Sequence, residues 1–360
     1  MNNKISLLCQ RLQEENIDAL LITRGTNIRY LTGYTGDEAY LLVPTHHKAA
    51  FITDFRNLEQ AEKETDGLPL DFIRRSTDYP LTKIVKDYCL RYSCDNLAIE
   101  KDYITYGLYE KLSAELGKIK ILPCEDFIGL SRMIKTEQEI EYLKQAAAIA
   151  DAAFEKLLSD IVPGITEKRL AANLEYYMLC LGAQSPAFDT IVASGLNGSQ
   201  CHARPTEKIL IPGEFIIIDF GANYQGYCSD CTRTLMMGKP SYRQKNVYET
   251  VHQVKNNMQE MARPGSVCKL LHLEAVKQLE KAGYAQYFGH GLGHGIGLDM
   301  HEAPYLNQSS RSLLKTNNAV TIEPGVYIPN WGGVRIEDSL IIGKEENLIL
   351  SKLPTELICL

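Results

Sequence analysis

Residues 215–237 read FIIIDFGANYQGYCSDCTRTLMM, two β-type runs on either side of the turn-forming sequence ANYQG. Runs of this kind joined by a short turn predict a β-hairpin. Each predicted strand carries one acid, Asp219 on the first and Asp230 on the second. Because positions 219 and 230 are symmetric about the turn, we expect the two carboxylates to face each other across the strands. Two acids so placed repel each other, so a compensating positive charge is expected between them.

A second hairpin is predicted about 100 residues later, with Glu323 and Glu337 in the acidic positions and a turn at Gly332-Gly333. The matching segments are IIIDFG (216–221) with VTIEPG (320–325), and GYCSD (226–230) with GVRIE (333–337). Each hairpin follows a Pro-Gly pair, an amphipathic helix and a further glycine: Pro163-Gly164 and Gly182 in the first half, Pro264-Gly265 and Gly283 in the second. The sequence therefore predicts a duplicated unit folded about a pseudo-twofold axis.

Between the two predicted hairpins in the sequence lies FGHGLGHGIGLDMHE (288–302), in which every second residue from 289 to 297 is glycine. A helix would not tolerate this, so an extended strand is expected, with the glycines on a face that another backbone can approach closely. The opposite face would carry His290 and His294, and a histidine there is well placed to be an imidazole ligand. For His290 we favour a structural role. His202 and His301 are candidates for proton transfer or substrate contact.

The composition narrows the class of protein. With 38 basic and 45 acidic residues the net charge is −7, which argues against nucleic acid or an anionic membrane as the main partner. Neither a signal-peptide core nor the ~20-residue apolar run of a membrane helix is found, so we predict a cytoplasmic protein. Ten cysteines are spread without disulfide-scaffold spacing, and the single CxxC of Cys228 and Cys231 is not expected to bind zinc.

A length of 360 residues predicts two domains. Residues 1–125 alternate β-type runs with helical patterns, which predicts an α/β domain with a largely covered sheet. Its candidate strands are 17–23, 39–43, 49–53, 96–100 and 118–122, and its candidate helices lie near 57–65, 80–91 and 104–116. A linker is expected at 126–136, followed by a second domain at 137–360. Thr136 and Glu139 predict a capping box that opens a helix.

Four acids in matching positions of two repeated hairpins favour a dinuclear metal site over four separate solvated or salt-bridged acids. Four carboxylates and one imidazole would suit Mn²⁺, Fe²⁺, Co²⁺ or Zn²⁺, and the residue types do not choose among these ions.

The spaced motifs IDFG, YCSDCTRT, GHGIGL, EPG and RIED resemble those of the pita-bread-fold metallopeptidases, which include Xaa-Pro dipeptidase (prolidase), Xaa-Pro aminopeptidase (aminopeptidase P) and methionine aminopeptidase. The resemblance covers roughly residues 130–355. NIRYLTGY (27–34) is similar to part of the creatinase-type N-terminal domain of the prolidase and aminopeptidase P branch. The resemblance thus implies an α/β creatinase-like domain followed by an α+β pita-bread catalytic domain with an internal pseudo-twofold repeat.

The resemblance also implies the site residues. The implied metal ligands are Asp219, Asp230, His294, Glu323 and Glu337, with Asp230 and Glu337 bridging two divalent ions, of which Mn²⁺ is favoured. The implied catalytic residues are His202, His301, Glu323 and Arg335. All five ligand positions are intact, which speaks against the metal-free members of this fold. A homodimer is implied as well.

The reaction that follows is hydrolysis of the Xaa-Pro bond at the N-terminus of dipeptides or short peptides by a metal-bridging hydroxide. His202 or His301 would stabilise the oxyanion, and Glu323 would carry the proton to the leaving nitrogen. A dipeptidase would also need a cation, such as Arg335, near the substrate carboxylate. Two alternatives are open: a methionine-aminopeptidase-like exopeptidase, whose catalytic domain usually lacks such an N-terminal domain, and a non-catalytic peptide-binding protein on the same fold.

Overall fold

The computed structural model describes residues 3–360, which form two compact units that divide between Arg132 and Met133. This division falls inside the segment 126–136, for which the sequence predicts a linker. The segment contains a short helix whose Phe127 and Ile128 are buried in the core of the first unit. Across the described residues, no helix combines the length and the apolar content that crossing a bilayer requires.

The first unit is a mixed six-stranded sheet with a hydrophobic core on each face. Its strands are β1 (Ala19–Ile22), β2 (Tyr40–Pro44), β3 (Ala49–Thr53), β4 (Leu70–Arg74), β5 (Asn96–Glu100) and β6 (Lys120–Cys124). Its helices are α1 (Asn3–Glu14), α2 (Gly25–Thr32), α3 (Leu58–Glu64), α4 (Leu81–Arg91), α5 (Tyr106–Leu116) and α6 (Phe127–Arg132). The strand order is β4-β3-β2-β1-β5-β6, with β2 antiparallel to both of its neighbours and the other pairs parallel.

The predicted α/β class of the first unit is confirmed, and so are its five predicted strands and three predicted helices. Strand β1 shows why both faces are covered, because Leu20 and Ile22 belong to one core and Ala19 and Leu21 to the other. Strand β4 and helices α1, α2 and α6 were not predicted. Strand β4 lies at the sheet edge with only Leu70 buried, so its sequence carries little apolar pattern.

The second unit consists of two halves, each built from a pair of helices and a set of antiparallel strands. The first half contains α7 (Glu137–Leu157), α8 (Glu167–Cys180), β7 (Ser185–Pro186), β8 (Ile191–Ser194), β9 (Phe215–Phe220), β10 (Ala222–Tyr224), β11 (Tyr227–Cys228) and β12 (Cys231–Met236). The second half contains α9 (Tyr242–Met261), α10 (Cys268–Lys281), β13 (Gly293–Gly295), β14 (Glu302–Leu306), β15 (Ala319–Ile322), β16 (Gly325–Ile328), β17 (Gly332–Arg335), β18 (Asp338–Ile341) and β19 (Leu348–Ile349). The main sheets are β12-β9-β8 in the first half and β14-β13-β15-β18-β19 in the second.

The predicted internal repeat is confirmed. Each half has its own hydrophobic core, formed mainly by its helix pair and its hairpin. The predicted capping box of Thr136 and Glu139 opens α7, and an equivalent box of Ser241 and Gln244 opens α9. The two halves therefore begin with the same local device, in which a side chain satisfies the first free N–H groups of the helix.

The first hairpin does not have the register that its symmetry suggested. Asp219 pairs with Thr232 rather than with Asp230, so the prediction of directly opposed carboxylates is wrong here. The reason is the turn, where Gln225 and Gly226 both adopt left-handed φ values of 51° and 81°, as in the tight turns that favour hairpins. This turn lies one residue further along the chain than the predicted centre, which shifts the pairing by two.

The second hairpin does have the predicted pairing. β15 with β18 and β16 with β17 share one register, which places Glu323 opposite Glu337. The turn was predicted at Gly332 and Gly333, but both residues belong to β17. The chain reverses instead around Asn330, whose φ of 59° supplies the left-handed conformation without a glycine.

The glycine-rich stretch forms a shorter strand than predicted, because β13 is only three residues long and its pairing with β14 is irregular. The predicted close approach of backbone is nevertheless present. A Cβ atom on Gly293 would overlap the carbonyl oxygen of Thr321, and one on Gly295 would overlap the carbonyl oxygen of Ala303. These glycines let the backbone on either side of His294 pack directly against neighbouring chain.

Residues 351–360 return from the second half to the first. Leu353 is buried in the core of the first half, and its carbonyl accepts a hydrogen bond from Arg233 at 2.9 Å. The backbone N–H of Met236 donates to the carbonyl of Ile358, also at 2.9 Å. The first half is therefore completed by residues that follow the whole second half in the sequence.

Substitution of Gly293 by alanine should destabilise the protein, because the added methyl meets backbone rather than a movable side chain. We expect a loss of about 1–3 kcal/mol or more in the free energy of unfolding, measured by denaturant titration. Gly289 provides the matched control within the same stretch, since a Cβ there meets nothing within 4 Å and φ is not left-handed. Gly289→Ala should change stability by less than about 0.5 kcal/mol. Equal effects of the two substitutions would contradict the steric explanation.

Candidate metal centre

A cavity of about 460 Å³ opens into the second unit and is lined by residues of both hairpins. All eight site residues predicted from the sequence line it: His202, Asp219, Asp230, His294, His301, Glu323, Arg335 and Glu337. The structure therefore brings together residues that are up to 135 positions apart in the chain.

A buried group of possible metal ligands lies at the inner end of this cavity. Asp230, His294 and Glu337 each offer one ligand atom, and these atoms lie within 4.8 Å of one another. His294 Nε2 lies 3.5 Å from Asp230 Oδ2 and 3.4 Å from Glu323 Oε1. These three carboxylates and one imidazole thus converge on one small volume.

The orientation of His294 leaves a lone pair pointing at the carboxylates. Its Nδ1 lies 3.0 Å from the carbonyl oxygen of Gly295, which can only accept a hydrogen bond, so the proton is assigned to Nδ1. Nε2 is then unprotonated and faces Asp230 and Glu323. A lone pair facing two carboxylates is repulsive unless a cation lies between them, and this is the tautomer that metal-binding histidines use.

Two carboxylate oxygens in the site accept no hydrogen bond from any described residue. They are Asp219 Oδ1 and Glu337 Oε1, and both are buried. The second oxygen of each is held in place, Asp219 Oδ2 by Arg335 at 2.7 Å and Glu337 Oε2 by Thr232 Oγ1 at 2.7 Å. Buried polar atoms normally have a partner, so these two fixed and unsatisfied oxygens fit a cation.

Burial and mutual repulsion alter the pKa values of the acids. Burial, together with the charges of the neighbouring carboxylates, raises the pKa of Asp230 and of Glu337 well above the usual range. Burial raises the pKa of Glu323 to about 7, while Arg335 partly opposes the rise. Burial also lowers the pKa of His294 to about 4. A divalent cation would reverse the cost of ionising these acids, so the donor set fits a metal site.

Arg335 lines the cavity, but most of its N–H groups donate to the surrounding protein. Its guanidinium donates to Asp219 Oδ2 at 2.7 Å, to the hydroxyl of Tyr327 at 2.7 Å and to the carbonyl of Cys201 at 3.1 Å. Its Nε donates to Thr232 Oγ1 at 3.1 Å. These bonds use four of the five N–H groups of an arginine. The geometry therefore supports a positioning role, and it leaves little capacity for the substrate carboxylate suggested by the sequence.

Tyr327 links Arg335 to His290 and was not predicted from the sequence. His290 Nδ1 lies 2.8 Å from the carbonyl of Gly291, so its Nε2 accepts a hydrogen bond from the Tyr327 hydroxyl at 3.0 Å. The favoured structural role of His290 agrees with this chain of hydrogen bonds. Tyr327 lies four residues after Glu323, so the alternation of a strand would place both side chains on the same face. It also pairs with Gly333. A tyrosine opposite a glycine on the face of Glu323 is the sequence signal that could have indicated Tyr327.

His202 and His301 lie at the exposed part of the cavity. The ring of His301 is 4.3 Å from the ring of His294, centre to centre. Burial lowers the pKa of His301, and the nearby His202 lowers it further. Both imidazoles can therefore reach a bound molecule, and the lowered pKa keeps His301 neutral at physiological pH. By contrast, Cys228 and Cys231 are absent from the described residues that line the cavity.

A buried ion cluster lies behind Glu337. Arg233 donates to the carbonyl oxygen of Glu337 at 2.6 Å and to Asp338 Oδ1 at 2.8 Å. Lys255 forms a close ion pair with the other oxygen of Asp338. These contacts fix the chain at Glu337 and Asp338.

Comparison with known proteins agrees with this site. Residues 141–344 match metallopeptidase family M24, and residues 4–134 match the creatinase/prolidase N-terminal domain. An Xaa-Pro dipeptidase of Pyrococcus horikoshii is 35% identical over 99% of both chains. The solved Xaa-Pro dipeptidase of Bacillus anthracis is 39% identical, with a TM-score of 0.94 and 99% of each chain covered.

The solved X-Pro aminopeptidase of Thermotoga maritima is also similar, with 34% identity, a TM-score of 0.88 and coverage of 97% of this chain and all of that chain. Relatives named for cleavage of dipeptides and relatives named for removal of N-terminal residues thus resemble this chain to a similar degree. The chain belongs to metallopeptidase family M24, and it carries the creatinase/prolidase N-terminal domain ahead of the catalytic domain.

Proposed function

We propose that the protein is a metal-dependent exopeptidase that hydrolyses the Xaa-Pro bond at the N-terminus of dipeptides or short peptides. The observation that carries this proposal is the convergence of carboxylates on the unprotonated Nε2 of His294 at the inner end of an open cavity. Full-length similarity to Xaa-Pro dipeptidases and to an X-Pro aminopeptidase supports the choice of substrate.

The proposed ligands of two divalent ions are Asp219, Asp230, His294, Glu323 and Glu337. The unsatisfied oxygens of Asp219 and Glu337 support this set, as do the raised pKa values of Asp230, Glu323 and Glu337. Two such ions would lower the pKa of water and neutralise negative charge that develops on the substrate. Mn²⁺ is the favoured metal, and Fe²⁺, Co²⁺ and Zn²⁺ suit the same donors.

The protein's own side chains have separate roles in the proposed reaction. Glu323 carries the proton to the leaving nitrogen, because its carboxylate lines the cavity and lies 3.4 Å from His294 Nε2 beside the proposed metal ligands. His202 and His301 donate hydrogen bonds to the substrate from the exposed part of the cavity. Arg335 holds Asp219, and Tyr327 with His290 holds Arg335.

Specificity for proline has a physical basis. An Xaa-Pro bond has no N–H, so a protease that binds its substrate as a β-strand loses a hydrogen bond there. The creatinase/prolidase N-terminal domain at residues 4–134 favours an Xaa-Pro enzyme over a methionine aminopeptidase. A homodimer and a cytoplasmic location belong to the same proposal through the resemblance of the chain to the prolidase branch.

The metal centre can be tested without turnover. Mn²⁺ at about 100 times its Kd should stabilise the folded protein by about 2.7 kcal/mol, seen as a rise in Tm by calorimetry. Asp230→Asn should abolish most of this rise, whereas its metal-free Tm should be equal or higher because one repelling acid is removed. Glu207→Gln is the control, since Glu207 is a surface acid paired with Lys168. An undiminished Mn²⁺ response of Asp230→Asn would refute the ligand assignment.

The substrate can be tested with Ala-Pro, Ala-Pro-Ala and Ala-Ala in the presence of Mn²⁺, with products separated by chromatography. We expect cleavage of at least one of the two proline peptides and negligible cleavage of Ala-Ala. Cleavage of Ala-Pro alone identifies a dipeptidase, and cleavage of Ala-Pro-Ala identifies an aminopeptidase. Binding of these peptides without cleavage would instead indicate the non-catalytic protein.

A further inference from the structure

Arg204 lies on a loop that the structure holds at both ends. Near one end, the carbonyl of Cys201 accepts a hydrogen bond from Arg335 at 3.1 Å, which ties the loop to the candidate metal centre. At the other end, Thr206 donates to the buried carboxylate of Glu167 through its hydroxyl at 2.7 Å and its N–H at 3.1 Å. Between these contacts, Pro205 restricts the backbone next to Arg204. The guanidinium is thus presented from an anchored segment.

The charges that line the cavity single out this residue. The described lining residues include two arginines, Arg204 and Arg335, and no lysine. Arg335 has four of its N–H groups engaged with the protein, one of them with Asp219, as described above. The other formal charges of the lining are acidic, so a substrate carboxylate that enters needs a cation that is free to meet it.

Arg204 is such a cation. Its side chain is 87% exposed, and its partner Asp189 is 89% exposed, with 3.6 Å between Arg204 Nη2 and Asp189 Oδ2. This separation is longer than a normal hydrogen bond, and exposed pairs of this kind are worth little. A carboxylate could therefore take the place of Asp189 and form the paired N–H···O contacts that a guanidinium favours.

We propose that Arg204 binds the free α-carboxylate of the substrate and so directs the enzyme to dipeptides that end in proline. The assignment rests on the proposed Xaa-Pro hydrolase activity and adds the substrate class to it. His202 lies two residues away on the same loop, so the group that contacts the scissile bond and the group that contacts the carboxylate would be carried by one anchored segment. Arg204 is then a specificity residue and takes no part in the chemical step.

The test compares Ala-Pro with Ala-prolinamide, which has the same scissile bond but no C-terminal charge. In Arg204→Ala we expect KM for Ala-Pro to rise about five- to tenfold with kcat within about twofold of wild type, and the kinetics of Ala-prolinamide to stay unchanged. Arg204→Lys should recover part of the loss, because it restores the charge without the planar fork. Lys168→Ala is the matched control, since Lys168 is an exposed cation outside the described cavity lining.

The outcomes separate the two proposals. If the wild-type enzyme cleaves Ala-Pro and Arg204→Ala leaves its KM unchanged, or changes both substrates equally, the carboxylate assignment is overturned while the Xaa-Pro activity stands. If the wild type cleaves Ala-Pro-Ala but not Ala-Pro, the carboxylate assignment alone is overturned. If it cleaves neither of these peptides nor Ala-prolinamide, both proposals fail. Cleavage of Ala-Pro without cleavage of the amide supports carboxylate recognition, provided that Arg204→Ala raises the KM of Ala-Pro. The melting temperatures of all variants should match wild type, because the side chain is exposed.

Discussion

The repulsion between buried carboxylates is the constraint around which the second unit is organised. Asp230, Glu323 and Glu337 are brought close to one another in a region where burial already disfavours their charge. Such an arrangement costs stability unless something holds each acid in place. Arg335 holds Asp219 and Thr232 holds Glu337, and one oxygen of each of these two acids remains unsatisfied. The surrounding contacts thus preserve an anionic site instead of neutralising it.

The duplication explains how one chain builds such a site. Each half brings two acids on a hairpin, and each hairpin is supported by its own helix pair and core. The halves are not identical, because the register of the first hairpin differs by two from that of the second. Only the second half adds an imidazole to the proposed metal ligands, on a strand whose glycines allow close packing. A repeated scaffold therefore carries an asymmetric set of donors.

Much of the fold and of the candidate site could be predicted from the sequence, because periodic and repeated features are visible as local sequence patterns. The alternating strands and helices of the first unit, the capping box at Thr136 and the paired motifs of the hairpins are all local patterns. The register of the first hairpin could not be predicted in this way, because Gln225 adopts a left-handed conformation that glutamine does not favour. The role of Arg335 could not be predicted either, because it depends on contacts with Cys201, which is distant in sequence, and with Tyr327, whose residue type does not indicate a site.

The return of residues 351–360 to the first half has a consequence for biosynthesis. A ribosome makes the helices and strands of the first half well before these residues, yet Leu353 completes that core and Ile358 pairs with Met236. The nascent first half must therefore wait, with part of its apolar surface uncovered, until the second half has been translated. Although the halves look like independent modules, their order of synthesis makes the docking of residues 351–360 a late step in completing the core of the first half.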